Sequence, residues 1–115
     1  MTLNEIQKEI ETHDIVLFMK GTPTFPQCGF SAHISAILAA EGVFYISHDV
    51  LSNDELRVNI KEFSNWPTIP QLYVRGKFIG GADIVHEMYD KGELRGVLNR
   101  PPDAWGDSST TITME

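Results

Sequence analysis

Apolar positions change period several times along the chain, and the changes mark its elements. Thr2-Leu3-Asn4-Glu5 is a capping box, after which Leu3, Ile6 and Ile10 recur at helical spacing. His13-Asp14 closes that helix. Ile15-Val16-Leu17-Phe18-Met19 is too short and too continuously apolar for a surface helix, which predicts a strand buried on both faces. Gly21-Thr22-Pro23-Thr24-Phe25-Pro26-Gln27 is rich in turn residues and carries the chain to Cys28. From there the period is helical again. Phe30, Ile34, Ile37 and Leu38 fall on one face, Ser31 and Ser35 on the other, and Gly42 is the stop.

In the second half, Val43 to His48 reads as a strand rich in aromatic and β-branched residues. Ser52-Asn53-Asp54-Glu55 reads as another capping box, opening a helix whose inner face is Leu56, Ile60 and Phe63. The two prolines of Trp66-Pro67-Thr68-Ile69-Pro70 exclude helix. Gln71-Leu72-Tyr73-Val74 and Lys77-Phe78-Ile79 flank Arg75-Gly76, a two-residue hairpin loop. After Gly80-Gly81 a helix runs through Ile84, Val85, Met88 and Tyr89, Gly92 interrupts it, and a last short helix uses Leu94, Val97 and Leu98. The order α-β-α-β-α-β-β-α-α predicts an α/β domain: a four-stranded mixed sheet flanked by about five helices, with one parallel, right-handed crossover and then antiparallel edges. The domain spans residues 1–100. Pro101-Pro102 stops it, and 101–115 reads as a flexible acidic tail.

Composition narrows the function. The chain has 115 residues, 42% apolar and 22% charged, which is one ordinary globular domain able to form a core without disulfides. Nine Lys+Arg against sixteen Asp+Glu leave a net charge of −7, a sign that repels phosphate backbones and anionic bilayers. Neither nucleic acid nor membrane is therefore an expected partner. No apolar run reaches the length of a bilayer crossing, and the N-terminus lacks the basic start and apolar stretch of a signal peptide. A single cysteine, Cys28, excludes an intramolecular disulfide and suits a reducing compartment; the cytoplasm is the expected one.

Cys28 is also the candidate for chemistry. It follows a strand and a loop and sits at the start of a helix, where unpaired N–H groups and the macrodipole favour a thiolate. A free cysteine is equally well a small buried hydrophobe, so position alone leaves both readings open. Ser31 stands three residues on, giving C-x-x-S where a dithiol oxidoreductase has C-x-x-C. A lone thiolate attacks a disulfide, but no second thiol in the chain resolves the mixed disulfide it forms. The same arithmetic governs metal clusters. An iron–sulfur cluster wants four thiolate ligands, two chains offer two, and a soluble thiol must supply the rest. His13, His33, His48 and His86 are scattered, form no i, i+4 zinc pair, and read as surface or packing histidines. Gly80-Gly81 lacks the context of a nucleotide loop.

Cys28-Gly29-Phe30-Ser31 is the Cys-Gly-Phe-Ser signature that resembles monothiol glutaredoxins. The resemblance runs from about Ile6 to about Leu98 through Met19-Lys20-Gly21, Asn65-Trp66-Pro67-Thr68-Ile69-Pro70-Gln71 and Gly80-Gly81-Ala82-Asp83. It implies a thioredoxin-like fold and a glutathione site around Cys28 and Phe30. Lys20 and Arg57 would hold the glycine carboxylate, although on their own each is an ordinary surface cation. Pro70 would be the cis-proline of the fold, leaving the Ile69 backbone to pair with the cysteinyl unit. Ala82 and Asp83 would meet the γ-glutamyl end; Asp83 read alone is a first-turn acid. Ala82 departs from the cysteine that many relatives carry there. The long 21–27 loop is similar to that of the monothiol class, in which it holds glutathione in a pose poor for thiol exchange.

The resemblance further implies a [2Fe–2S] cluster bridging two chains, ligated by Cys28 of each and by two glutathione thiols. The protein would be a homodimer when loaded and a monomer when apo, with apo iron–sulfur proteins as recipients and a BolA-like protein as a partner. The rival expectation is a weak glutathione-dependent oxidoreductase that removes glutathione from protein mixed disulfides.

Overall fold

Five consecutive buried residues, β1 (Ile15–Met19), organise the computed structural model. The structure describes residues 1–99, so the tail expected over 101–115 lies outside the described residues, as does residue 100. Before β1 comes α1 (Leu3–Thr12); after it come α2 (Gly29–Glu41), β2 (Ile46–Asp49), a 3-10 turn (Val50–Ser52) and α3 (Asp54–Ser64). Then follow β3 (Gln71–Val74), β4 (Lys77–Gly80), α4 (Ala82–Asp90) and α5 (Leu94–Asn99). The sheet order is β2-β1-β3-β4, with β1 parallel to β2 and antiparallel to β3, and β4 returning antiparallel to β3. This is the mixed four-stranded sheet with five helices that the pattern predicts.

β1 is apolar throughout because helices cover both sides of the sheet. Ile15, Leu17 and Met19 pack with Ile34, Ile37 and Leu38 of α2, Val85 of α4, and Leu94 and Leu98 of α5. Val16 and Phe18 point the other way, into Ile6 and Ile10 of α1 and Leu56 and Ile60 of α3. Burying each such side chain fully stabilises the fold by roughly 1.5–3 kcal/mol. The hairpin between β3 and β4 turns on Arg75 (φ 49°) and Gly76 (φ 82°), two left-handed residues in succession. That geometry matches strand twist and joins the strands with two residues, as expected.

Three expectations need correction. β2 begins at Ile46 rather than Val43. The Tyr45 hydroxyl is tied to Ser35 on α2 at 3.1 Å, and Phe44 lies 83% exposed, so the ladder with β1 starts only at Val16↔Ile46. The faces of α2 are also different: Ser31 and Ser35 are buried, while Phe30 is 63% exposed. The helix is apolar almost all round, so its period does not choose a face, and both hydroxyls find partners inside. Finally, the cap of α3 is Asn53, whose Oδ1 accepts the Leu56 N–H at 3.0 Å. Ser52 belongs to the preceding turn and donates to the Asp49 carbonyl.

The Thr2 capping box forms as expected, with Thr2 and Glu5 exchanging both bonds. The histidines, scattered in sequence, are not scattered in space. His48 meets Glu9 at 2.7 Å, and His33 on α2 meets His86 on α4 at 2.7 Å. Among the described residues no helix is long and apolar enough to cross a membrane.

The cap assignment has a direct test in denaturant unfolding. Asn53→Ala should cost about 1 kcal/mol, whereas Ser52→Ala should stay within about 0.5 kcal/mol of the parent.

Candidate functional site

A cleft of about 490 Å³ opens where β1, α2, the 66–70 loop and α4 meet. Lys20, Cys28, Phe30, Ile69, Pro70, Ala82 and Asp83 all line it, so the structure gathers every site residue expected from the sequence except one. Arg57 is exposed on α3 and is not among the lining residues. Trp66, Pro67, Thr68, Gly81 and Ile84 complete the wall.

Cys28 is the N-cap of α2, half-buried, with extended backbone (φ −155°, ψ 136°). The thiol makes no cap hydrogen bond; the ionised sulfur is the form that gains from its surroundings. The Ser31 backbone N–H holds the Cys28 pKa below its ordinary value, aided by the Phe30 N–H, the Lys20 charge and the Ser31 hydroxyl, and opposed by partial burial. These are the second and third helical N–H groups, which have no partner within the helix.

The loop before Cys28 is pinned at several points. Lys20 N–H donates to Ser31 Oγ at 3.0 Å, and Gly21 N–H donates to Asp49 Oδ1 at 2.8 Å. Across the loop, Gln27 N–H donates to the Lys20 carbonyl at 2.9 Å and Thr22 N–H to the Phe25 carbonyl at 3.2 Å. Gly21 adopts φ +88°, and a Cβ there would lie 2.5 Å from the Phe25 carbonyl oxygen and 2.6 Å from Gln27 N. Only glycine meets both demands.

The facing wall is held from within the sheet. The Ile69–Pro70 peptide bond is cis. Gln71, fully buried at the start of β3, donates from Nε2 to the carbonyls of Trp66 and Thr68 at 3.2 and 3.3 Å. Its Oε1 accepts the Tyr73 hydroxyl at 3.0 Å. Burial pushes the Tyr73 pKa up to about 12, against a lowering contact with Ser64, so it remains a donor at ordinary pH. Trp66 stacks obliquely near Phe78, which in turn sits on Tyr73, with centroids 5.6 and 5.3 Å apart. Gly81 lets α4 close on this wall: a Cβ there would come within 3.3 Å of the Pro70 carbonyl and 3.4 Å of the Trp66 indole nitrogen. α4 then begins with Ala82 and Asp83 at the cleft.

Sequence reasoning missed Asp49 and the Gln71–Tyr73 pair. The parallel register places Asp49 opposite Met19, two residues before Gly21, so the strand register is the signal that marks it. No local signal marks Gln71, which reads there as one more strand residue.

A single activated thiol at a helix start, facing a cis-proline loop across a cleft, defines a thiol protein of thioredoxin-like fold. The glutaredoxin family model matches residues 15–79. The chain is 52% identical over 100 residues to the mitochondrial monothiol glutaredoxin-5 of Schizosaccharomyces pombe, covering 84% of this chain and 68% of that one. It is 45% identical over 97 residues to glutaredoxin 4 of Escherichia coli K12, covering 84% of each. Among solved structures it is similar to reduced poplar apo GrxS14, with a TM-score of 0.70, 48% identity, and coverage of 80% of this chain and 84% of that one. The chain belongs to the glutaredoxin family, in its monothiol class.

Two outcomes test the site. Lys20→Gln should move the pH profile of Cys28 alkylation by iodoacetamide to higher pH, since the variant lacks a cation that favours the thiolate. Because the folded pKa lies below the unfolded one, the thiolate adds stability above the unfolded value, and that share is lost as pH falls through the folded value. Gly21→Ala should destabilise the fold by about 1 kcal/mol or more in urea unfolding, the direction expected where φ is positive and space is closed.

Proposed function

We propose that this chain binds glutathione in the cleft and carries a [2Fe–2S] cluster as cargo between two copies of itself, for transfer to apo iron–sulfur proteins. The observation that carries the reading is the state of position 31. Ser31 is fully buried and its hydroxyl accepts the Lys20 N–H, so the activated Cys28 has no neighbouring thiol with which to complete a disulfide cycle. A thiolate favoured by its setting but denied a resolving partner suits a ligand better than a turnover catalyst.

The cleft's charges suit the tripeptide. Lys20 and Arg57 take the glycine carboxylate, Arg57 joining from outside the cleft's own lining, and Asp83 takes the γ-glutamyl ammonium. Ile69, before the cis-proline, offers backbone to the cysteinyl unit, with Phe30, Pro70 and Ala82 as apolar wall. One thiolate per chain supplies half of a bridging cluster's ligands, and two glutathione thiols supply the others. Since glutathione is held without a covalent bond, the assembly comes apart on transfer. The loaded form is a homodimer and the apo form a monomer. A BolA-like protein is a second partner, and a reducing compartment, the cytoplasm, suits the lone thiol.

The lowered pKa of Cys28 favours one rival, deglutathionylation. The thiolate attacks the glutathionyl sulfur of a protein mixed disulfide and releases the protein thiolate. A second glutathione then attacks Cys28–S–SG, giving glutathione disulfide and regenerating Cys28.

Anaerobic reconstitution with iron, sulfide and glutathione, followed by absorption on a sizing column, separates the two. The carrier gives glutathione-dependent visible absorption that travels with a dimer and is lost in Cys28→Ser. A colourless monomer under every condition, with rapid turnover of a glutathione mixed disulfide, would establish the rival instead.

A further inference from the structure

Away from the cleft, α2 and α4 pack against each other, and each presents a histidine to the other. His33 Nε2 and His86 Nδ1 lie 2.7 Å apart, with ring centroids separated by 4.7 Å and planes tilted by 42°. On its other side His86 Nε2 meets Asp90 Oδ2 at 3.0 Å, one turn further along α4. With Nε2 donating to the carboxylate, a neutral His86 keeps its lone pair at Nδ1, and His33 Nε2 supplies the proton of the shared bond. One proton thus occupies the place where two imidazole lone pairs converge.

We infer that His33 Nε2 and His86 Nδ1 form a binding site for a divalent, imidazole-preferring transition-metal cation, with Asp90 orienting His86 from behind. The cation replaces the shared proton, which moves to His33 Nδ1, so two neutral rings become ligands without net loss of protons. A carboxylate on the far nitrogen fixes tautomer and ring orientation and raises the basicity of the ligating nitrogen. The spacing chooses among metals. With metal–nitrogen bonds near 2.0 Å, adjacent ligands stand about 2.8 Å apart in a tetragonal site and about 3.3 Å apart in a tetrahedral one. The observed gap matches the spacing of adjacent ligands on Ni²⁺ or Cu²⁺, and each ring turns so that its lone pair, aimed at the other nitrogen in the hydrogen bond, meets the cation beside the line joining them. Among the described residues no group of three or more His, Cys, Asp or Glu is placed to hold a metal, so water completes the coordination and the cation exchanges freely. The His86 and Asp90 side chains are 49% and 61% exposed, leaving room for that water. Bound there, the cation ties together the two helices that bring Cys28 and Asp83 to the cleft.

The test is titration of Ni²⁺ alone into the full chain carrying Cys28→Ser, which removes the thiol as a competing ligand. Calorimetry should show one Ni²⁺ per chain, and the Tm should rise with Ni²⁺ concentration, as binding to the folded state requires. His33→Gln or His86→Gln should each lower affinity at least tenfold and abolish the Tm rise, and Asp90→Asn should weaken binding about tenfold. His48→Gln, which removes the shorter of the two histidine contacts with Glu9, should leave the isotherm unchanged. Far-UV circular dichroism checks that each variant is folded. Absence of binding, affinity that survives both His33→Gln and His86→Gln, or loss that follows His48→Gln would overturn the assignment.

Discussion

The structure turns on the corner where β1 stops and the chain leaves the sheet for α2. Met19 is fully buried, and the next two backbone donors, Lys20 and Gly21, need acceptors beside an apolar core. Ser31 Oγ takes the first and Asp49 Oδ1 the second. Ser31 is also the third residue of α2, and its own N–H is the main stabiliser of the Cys28 thiolate. One residue therefore ends the strand and sets the start of the helix. The dipoles that favour the anion are held in place before any charge develops, so little reorganisation opposes ionisation.

The second wall uses the same economy of buried polar groups. A glutamine in the middle of a sheet is costly unless every donor and acceptor is matched. Gln71 answers that by bonding the Trp66 and Thr68 carbonyls on one side and the Tyr73 hydroxyl on the other. The result carries the rigidity of the central strands out to the cis Ile69–Pro70 bond. Loop residues that would otherwise wander are thereby fixed against α4, where Gly81 allows the close approach.

Elements set by strong local chemistry were readable from the residues. The continuous apolar run of β1, the two-residue turn at Arg75-Gly76 and the Thr2 box each have one physical solution, and each appears as expected. The cluster of site residues around Cys28 was legible for a different reason, because several matched segments in one order point to a shared site. What stayed hidden depended on long-range pairing. α2 is apolar on nearly every side, so only the partners of Ser31 and Ser35 decide which face goes inward. Asp49 becomes part of the loop only once β2 is aligned with β1. The meeting of His33 with His86 joins positions 53 apart in sequence and follows from helix packing alone.

The serine at position 31 is thus more than a missing thiol. A thiol is a weak acceptor, and a cysteine side chain in that buried place would meet the Lys20 N–H less well than a hydroxyl does. The backbone of Lys20 would loosen, and with it the loop whose far end delivers Cys28. Resolving chemistry at position 31 and a tightly held loop before Cys28 therefore compete for the same atom. This chain resolves the competition in favour of the loop, keeping Cys28 firmly placed and without a second thiol beside it.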